Sequence, residues 1–362
     1  MRTVKTICLC LGFCLLTGCA GVDNEKETDL ASVSQVMDRI PEVYENEDGS
    51  VTSRIQVKLN GYQSGQDLVT AEVSLQKANR TQAKHVLWRE GAHITEHYEE
   101  QNEFGQSVMV ECWTTPDYVG SLSCGPYSSY ISSSRGKLSS YIPGSFRLER
   151  RFDDYNADLY SLTDQLAFMT REDAFAKLED CLKSIGFDIE TQYHAYALDK
   201  DTLAAEEIHL GKTEGLAEDE YKDSWTEKDE CYYFSVWQTY QELPIFYPYC
   251  GIITVYGDDA YTAVQAILSR DGIEELTVDQ VFDIHSVKPV ESMMEFEDIA
   301  QAVSDKYNQI LGTDTYQLTQ AELCYVVENM QMKPAWVLIG TQNDEKRIQT
   351  VMDAQTGREI VW

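Results

Sequence analysis

The sequence predicts an α+β protein, with an N-terminal β-rich domain followed by two units that each join one helix to an antiparallel sheet. Three observations carry that prediction. Apolar and polar residues alternate through Ile55, Val57 and Leu59, through Val69, Ala71, Val73 and Leu75, and through Val108, Val110 and Cys112. Period two is the mark of a strand with one buried face. Two amphipathic segments, near 171–185 and 294–311, carry start signals and each end at a glycine. Each is then followed by several short apolar runs, so the sequence predicts one helix-then-meander unit used twice. The 362 residues are 43% apolar and 11% aromatic, which argues against a disordered acidic chain despite a net charge of −32.

The elements follow in chain order. Arg2 and Lys5 precede an apolar run from Ile7 to Leu16. That run is too short for a membrane span of about 20 residues and suits the core of a signal peptide. Residues 1–18 are therefore expected to be a signal, and 19–50 an acidic tether with a short helix at 30–40. The β-rich domain is expected at 51–150. It includes a Ser-, Gly- and Tyr-rich stretch, 121–145, that reads as loop or short edge strands. The first α+β unit is expected at 165–290. Thr170 with Asp173 forms a capping-box-like start, Phe175, Leu178, Leu182 and Ile185 form the stripe, and Gly186 forms the stop. The second unit is expected at 291–362. Ser292 with Glu295 caps it, Phe296, Ile299, Val303, Tyr307 and Ile310 mark the stripe, and Gly312 ends it. The acidic run 214–230 reads as a solvated surface loop, because the calcium-loop spacing with its central glycine is missing.

Ten cysteines are present. Cys8, Cys10 and Cys14 fall in the signal, and Cys19 at its end. Cys112, Cys124, Cys181, Cys231, Cys250 and Cys324 remain, and six cysteines allow 15 pairings. Cys112–Cys124 is the favoured local pair, a short loop worth about 3 kcal/mol. Cys181 and Cys324 read as buried thiols.

Two resemblances add to this reading. Leu16-Thr17-Gly18-Cys19 resembles the bacterial lipobox. The resemblance implies cleavage before Cys19, lipid attachment to its thiol, and a chain anchored on the outer face of the cell membrane. Loss of Arg2 and Lys5 leaves 27 basic against 61 acidic side chains, net −34. Charge of that sign argues against nucleic acid as a partner and reads as stand-off from an anionic envelope. The second resemblance begins at Pro334-Ala335-Trp336-Val337-Leu338. It continues through Val351-Met352-Asp353-Ala354-Gln355-Thr356-Gly357-Arg358-Glu359-Ile360. This is similar to the closing hairpin of PepSY-like repeats, with Gly357 as the positive-φ residue and Ile360 and Trp362 returning to the core. Tyr233–Tyr240 with Leu243-Pro244-Ile245 looks like the matching strand of the first unit. The whole chain is similar to uncharacterised Gram-positive surface lipoproteins, and regulators of a membrane sensor kinase carry comparable folds. The family implies a non-catalytic binding module that needs no cofactor.

One motif argues for chemistry instead. His93-Ile94-Thr95-Glu96-His97 matches H-x-x-E-H, the inverted zinc-peptidase signature. On a helix, His93 and His97 share a face and ligate one zinc, Glu96 serves as general base, and Glu172 is at a tempting distance for a third ligand. The flanking residues read as strands and lack an apolar helix face, so a chance match is favoured. No G-x-S-x-G, S-x-x-K, Walker A or G-x-G-x-x-G occurs. The expectation is thus a lipid-anchored, non-catalytic binding or regulatory module for an envelope protein, a peptide or a wall polymer. Its rivals are a zinc metallopeptidase and a glycan- or solute-binding lipoprotein whose pocket is ringed by Tyr118, Tyr127, Tyr130 and Tyr141.

Overall fold

The computed structural model describes residues 31–101, 107–115, 119–124, 131–134, 160–214, 222, 224–246 and 263–361. Among them are five helices and eighteen strands. The helices are α1 (Val33–Met37), α2 (Arg80–Leu87), α3 (Arg171–Ile185), α4 (Lys200–Glu214) and α5 (Phe296–Asn308). The first eight strands are β1 (Ala31–Ser32), β2 (Val43–Asp48), β3 (Val51–Lys58), β4 (Val69–Leu75), β5 (His93–Gln101), β6 (Ser107–Thr114), β7 (Val119–Cys124) and β8 (Ile131–Ser134). Next come β9 (Thr191–Leu198), β10 (Cys231–Tyr240), β11 (Leu243–Phe246), β12 (Val264–Ser269), β13 (Gly272–Val278), β14 (Phe282–Pro289) and β15 (Ser292–Met293). The last three are β16 (Tyr316–Glu328), β17 (Gln331–Gln342) and β18 (Lys346–Asp353).

The α+β expectation of two PepSY-like units is overturned. The protein is mostly β, 49% strand against 20% helix, and its strands form large multi-strand sheets. A 16-stranded system runs β14-β4-β17-β16-β11-β10-β12-β13-β8-β7-β6-β5, with β18 beside β17, β3 beside β16, β2 beside β3 and β9 beside β10. The physical reason lies at the sheet edges. A closed helix-and-meander unit would end at its own strands, but here those strands recruit distant partners. β13 pairs with β8, a strand from the expected N-terminal β-rich domain. β16 pairs in parallel with β3 along one part of its length and with β11 along another. β17 pairs with β4. Unpaired backbone at a sheet edge is a liability, and this chain covers those edges with its own distant strands.

α3 forms where the sequence places it. Thr170 Oγ1 accepts from Asp173 N at 3.1 Å, and Gly186 takes a φ of 107° while its N–H closes the last turn. Its stripe packs on β9 and β10, with Phe175 stacked on Tyr193 at 3.6 Å and 5.9 Å from Phe234. α5 starts later than its sequence pattern. Glu295 takes the cap position without a side-chain bond, Ser292 lies in β15, and Ile310, assigned to the stripe, is exposed beyond the helix. Phe296 meets Trp336 edge-on at 4.9 Å, and Tyr307 stacks on Tyr316 at 4.6 Å.

Both central hairpins are buried on two faces. Leu323, Tyr325 and Trp336 join the main core, while Cys324, Val326, Ala335 and Val337 form a second layer with Val351 and Ile360. Likewise Tyr232, Phe234 and Val236 of β10 face the main core, and Cys231 and Tyr233 face a smaller cluster with Leu203 of α4. Two faces at period two explain why these strands are almost continuously apolar. Gly357 takes its expected positive φ, +64°, and Ile360 returns to the core. Trp362 lies outside the described residues.

Candidate functional site

The H-x-x-E-H segment is β5, a strand, so the helical face that would unite its histidines does not exist. Register goes further. His97 lies opposite Glu111, whereas His93 lies opposite Thr114 and Glu96 opposite Cys112, with a bulge between Ile94 and Glu96. Glu111 and Thr114 are three residues apart on β6, so their side chains leave opposite faces. His93 and His97 therefore point to opposite sides of the sheet. Glu172 lies in the first turn of α3, where its carboxylate accepts from Gln165 at 3.4 Å. Among the described residues no three His, Cys, Asp or Glu side chains converge as metal ligands.

What β5 offers is an edge. It ends the strand path, and its side chains from His93 to Glu99 are all exposed. Beneath it lies a charged anchor that the sequence reading missed. Glu111 of β6 is buried, and its carboxylate meets Lys84 Nζ at 2.5 and 2.6 Å, Arg80 at 3.0 Å and His97 Nδ1 at 3.2 Å. Burial pushes the Glu111 carboxyl up, but hydrogen bonds and charge from Lys84 and Arg80 outweigh it and hold the group below the usual carboxylate range. Lys84 also lies over the Trp88 ring at 5.4 Å, and Trp88 packs near Trp113 at 6.4 Å. Arg89 pairs with the buried Glu274 through two contacts of 2.8 and 3.0 Å. These ion pairs clamp α2 to the sheet.

The cysteine expectation is corrected by the same kind of register argument. Cys124 lies opposite Met109, and Cys112 lies opposite Ser121. The two thiols are three positions out of register and on opposite faces, which a disulfide with a Cα separation below about 7 Å cannot join. Cys181 and Cys324 are buried as expected. Cys19, Cys250 and the four tyrosines Tyr118, Tyr127, Tyr130 and Tyr141 lie outside the described residues.

Two concave regions stand out. One, of about 600 Å³, sits at the end of α5 near Asp48, Asp305 and Asp314. Its acids are occupied: Gln301 donates to Asp48 and Asp305, and Gln342 and Asn343 donate to Asp314. The other, of about 510 Å³, lies between the 160–167 segment and the start of α4, with Asp164, Asp199, Glu227 and Glu230 in its lining. Its walls are pinned. Ser161 Oγ accepts from Thr163 N and Asp164 N, Arg171 donates to the Asp164 carbonyl, and Leu166 N donates to Tyr232 Oη. Tyr160 donates to Glu206 of α4, and burial with that partner raises its phenol far above the ordinary range.

Part of the acidic run that reads as a solvated loop is tied into this wall. Glu207 of α4 is buried and accepts from Lys222 N at 2.5 Å and from Trp225 Nε1 at 2.7 Å. Asp229 pairs with Lys222 and accepts from Thr226 N and Oγ1. Burial would raise the Asp229 carboxyl, yet these donors, Lys222 foremost, hold it below the usual range.

Comparison with known proteins yields a fold and nothing more. No protein-family model matches the chain. No curated protein matches it. A solved structure of an uncharacterized protein from Eubacterium rectale ATCC 33656 is similar with a TM-score of 0.57 at 14% identity, covering 90% of this chain and 95% of that one.

Proposed function

We propose that the chain is a lipid-tethered, extracytoplasmic binding module that acts without catalysis and docks an extended segment of an envelope protein along the outer edge of β5. The carrying observation is β5 itself: nine residues, paired with β6 at the end of the strand path, and exposed on both faces from His93 to Glu99. Proteins usually blunt such edges, and a long open one suits strand addition, where main-chain bonds supply affinity and alternate side chains supply specificity. Glu96 and Glu99 leave opposite faces, by their opposition to Cys112 and Met109. A segment with basic residues on both faces is therefore complementary. The signal-like run and Leu16-Thr17-Gly18-Cys19 support the tether.

The test is site-specific photo-crosslinking from position 94 on intact cells, with position 345 on the β17–β18 turn as the distant control. A discrete crosslinked product from 94, absent from 345 and lost in a Cys19→Ala chain that leaves the membrane, is expected. Identical patterns from both positions, or zinc-dependent peptide cleavage that disappears in Glu96→Gln, would overturn the reading.

A further inference from the structure

We propose that the cavity between the 160–167 segment and the start of α4 binds a linear aliphatic amine carrying at least two ammonium groups, one of them seated on Glu230. Two of the four carboxylates in the lining are already used. Asp199 accepts from Thr202 N at 2.8 Å and so caps α4, offsetting the positive end of that helix. Glu227, at the rim, has Lys200 Nζ 3.7 Å away. Glu230 and Asp164 are left. Glu230 is only 8% exposed and lines the cavity, and among the described residues no side chain or backbone group donates to its carboxylate. Asp164 lies exposed at the rim, and its backbone alone is engaged, by Ser161 and Arg171.

Burial holds the Glu230 side chain in place while its carboxylate borders the cavity, where a cation that enters can form a charge-assisted pair with it. An inorganic ion does not fit the arrangement, because the acids do not converge on one point. Two separated carboxylates with Leu166 and Ala197 in the wall between helix and loop match two ammonium heads joined by methylenes. Among the described residues no basic side chain lines the cavity, and the net charge of −32 steers cations towards the chain. The proposal uses neither the tether nor the β5 edge, so its failure and theirs are separate results.

The test is calorimetric titration of the whole chain with spermidine and with 1,5-diaminopentane at about 0.15 M salt, where loose counter-ion attraction is screened. Pentylamine, calcium and sorbitol serve as comparison probes. Saturable one-to-one binding of both polyvalent amines is expected, at least tenfold weaker in Glu230→Gln. Asp164→Asn, an exposed change that leaves the core alone, should weaken the diamine several-fold and leave pentylamine unchanged. Glu345→Gln should bind like the parent. No saturable amine binding, equal loss in Glu345→Gln, or tighter binding of calcium or sorbitol than of the amines would overturn the proposal.

Discussion

Replacing Glu111 by Gln keeps the shape of the side chain and removes the charge that Lys84, Arg80 and His97 share. Charge-assisted hydrogen bonds are worth about 1.5–3 kcal/mol each. Orphaning a fully buried charge would cost about 3–5 kcal/mol, but that figure is too high here. The Lys84 and Arg80 side chains are 31% and 32% exposed, so both can turn partly back into water once the carboxylate is gone. The carboxylate, at 4% exposed, also sheds its own desolvation. The balance is a loss of about 2 kcal/mol, which at a urea slope of about 3 kcal/mol/M moves the midpoint down by about 0.7 M. A double-mutant cycle with Lys84→Met should return a coupling of about 1–2 kcal/mol. The sign with pH follows from the direction of the shift. The folded-state carboxyl titrates below its unfolded value, so the contribution is complete above the unfolded value of about 4.3 and is lost as pH falls through the folded one. The gap between parent and variant should therefore close in acid. A variant within about 0.3 kcal/mol of the parent at pH 7, or a gap unchanged by acid, would refute the clamp.

Three further outcomes follow from single residues. A Cβ added at Gly340 would lie 2.0 Å from the Gln317 carbonyl oxygen, where β16 is irregular, so Gly340→Ala should cost about 3 kcal/mol or prevent folding, read by thermal melting. Burial pushes the Glu275 carboxyl up to about 8, so between its unfolded value and pH 8 the native state holds a proton that the unfolded chain has released. Stability should then fall by up to about 1.4 kcal/mol per pH unit over that window, and a Glu275→Gln chain with the same slope would exclude this. Thr170→Ala removes the α3 cap bond and should cost about 1 kcal/mol in urea unfolding, with Thr170→Ser restoring most of it.

Local chemistry was legible and long-range pairing was not. Thr170, Asp173 and Gly186 act within a few residues of α3, so its ends could be read from the sequence. The parallel pairing of Tyr316 with Val51 has no such local mark, because parallel partners need only a matching buried face. That is why two meanders looked self-contained when their edge strands belong to a much larger sheet system. α2 was missed because only Ala83 and Leu87 are buried over eight residues, too few for a stripe. α4 was missed because buried Leu203 and exposed Ile208 trace no common face. The H-x-x-E-H segment could be read as strand from its neighbours, but the bulge that separates its histidines could not.

Glu230 shows what sequence-level pattern can and cannot carry at a site. It is one of eight acids between residues 214 and 230, and composition does not set it apart. Its position does. It abuts Cys231-Tyr232-Tyr233-Phe234, a strand covered by α3 on one face and by the cluster around Leu203 on the other. A residue leading into such a strand has little access to a solvated face. An apolar run without alternation is the sequence mark of burial on both sides. The acid that immediately precedes such a run is carried towards the core by its neighbours. There it must find a donor within the fold or an opening to a ligand. Asp229 found Lys222 and Thr226, Glu207 found Trp225, and Glu230 found the cavity.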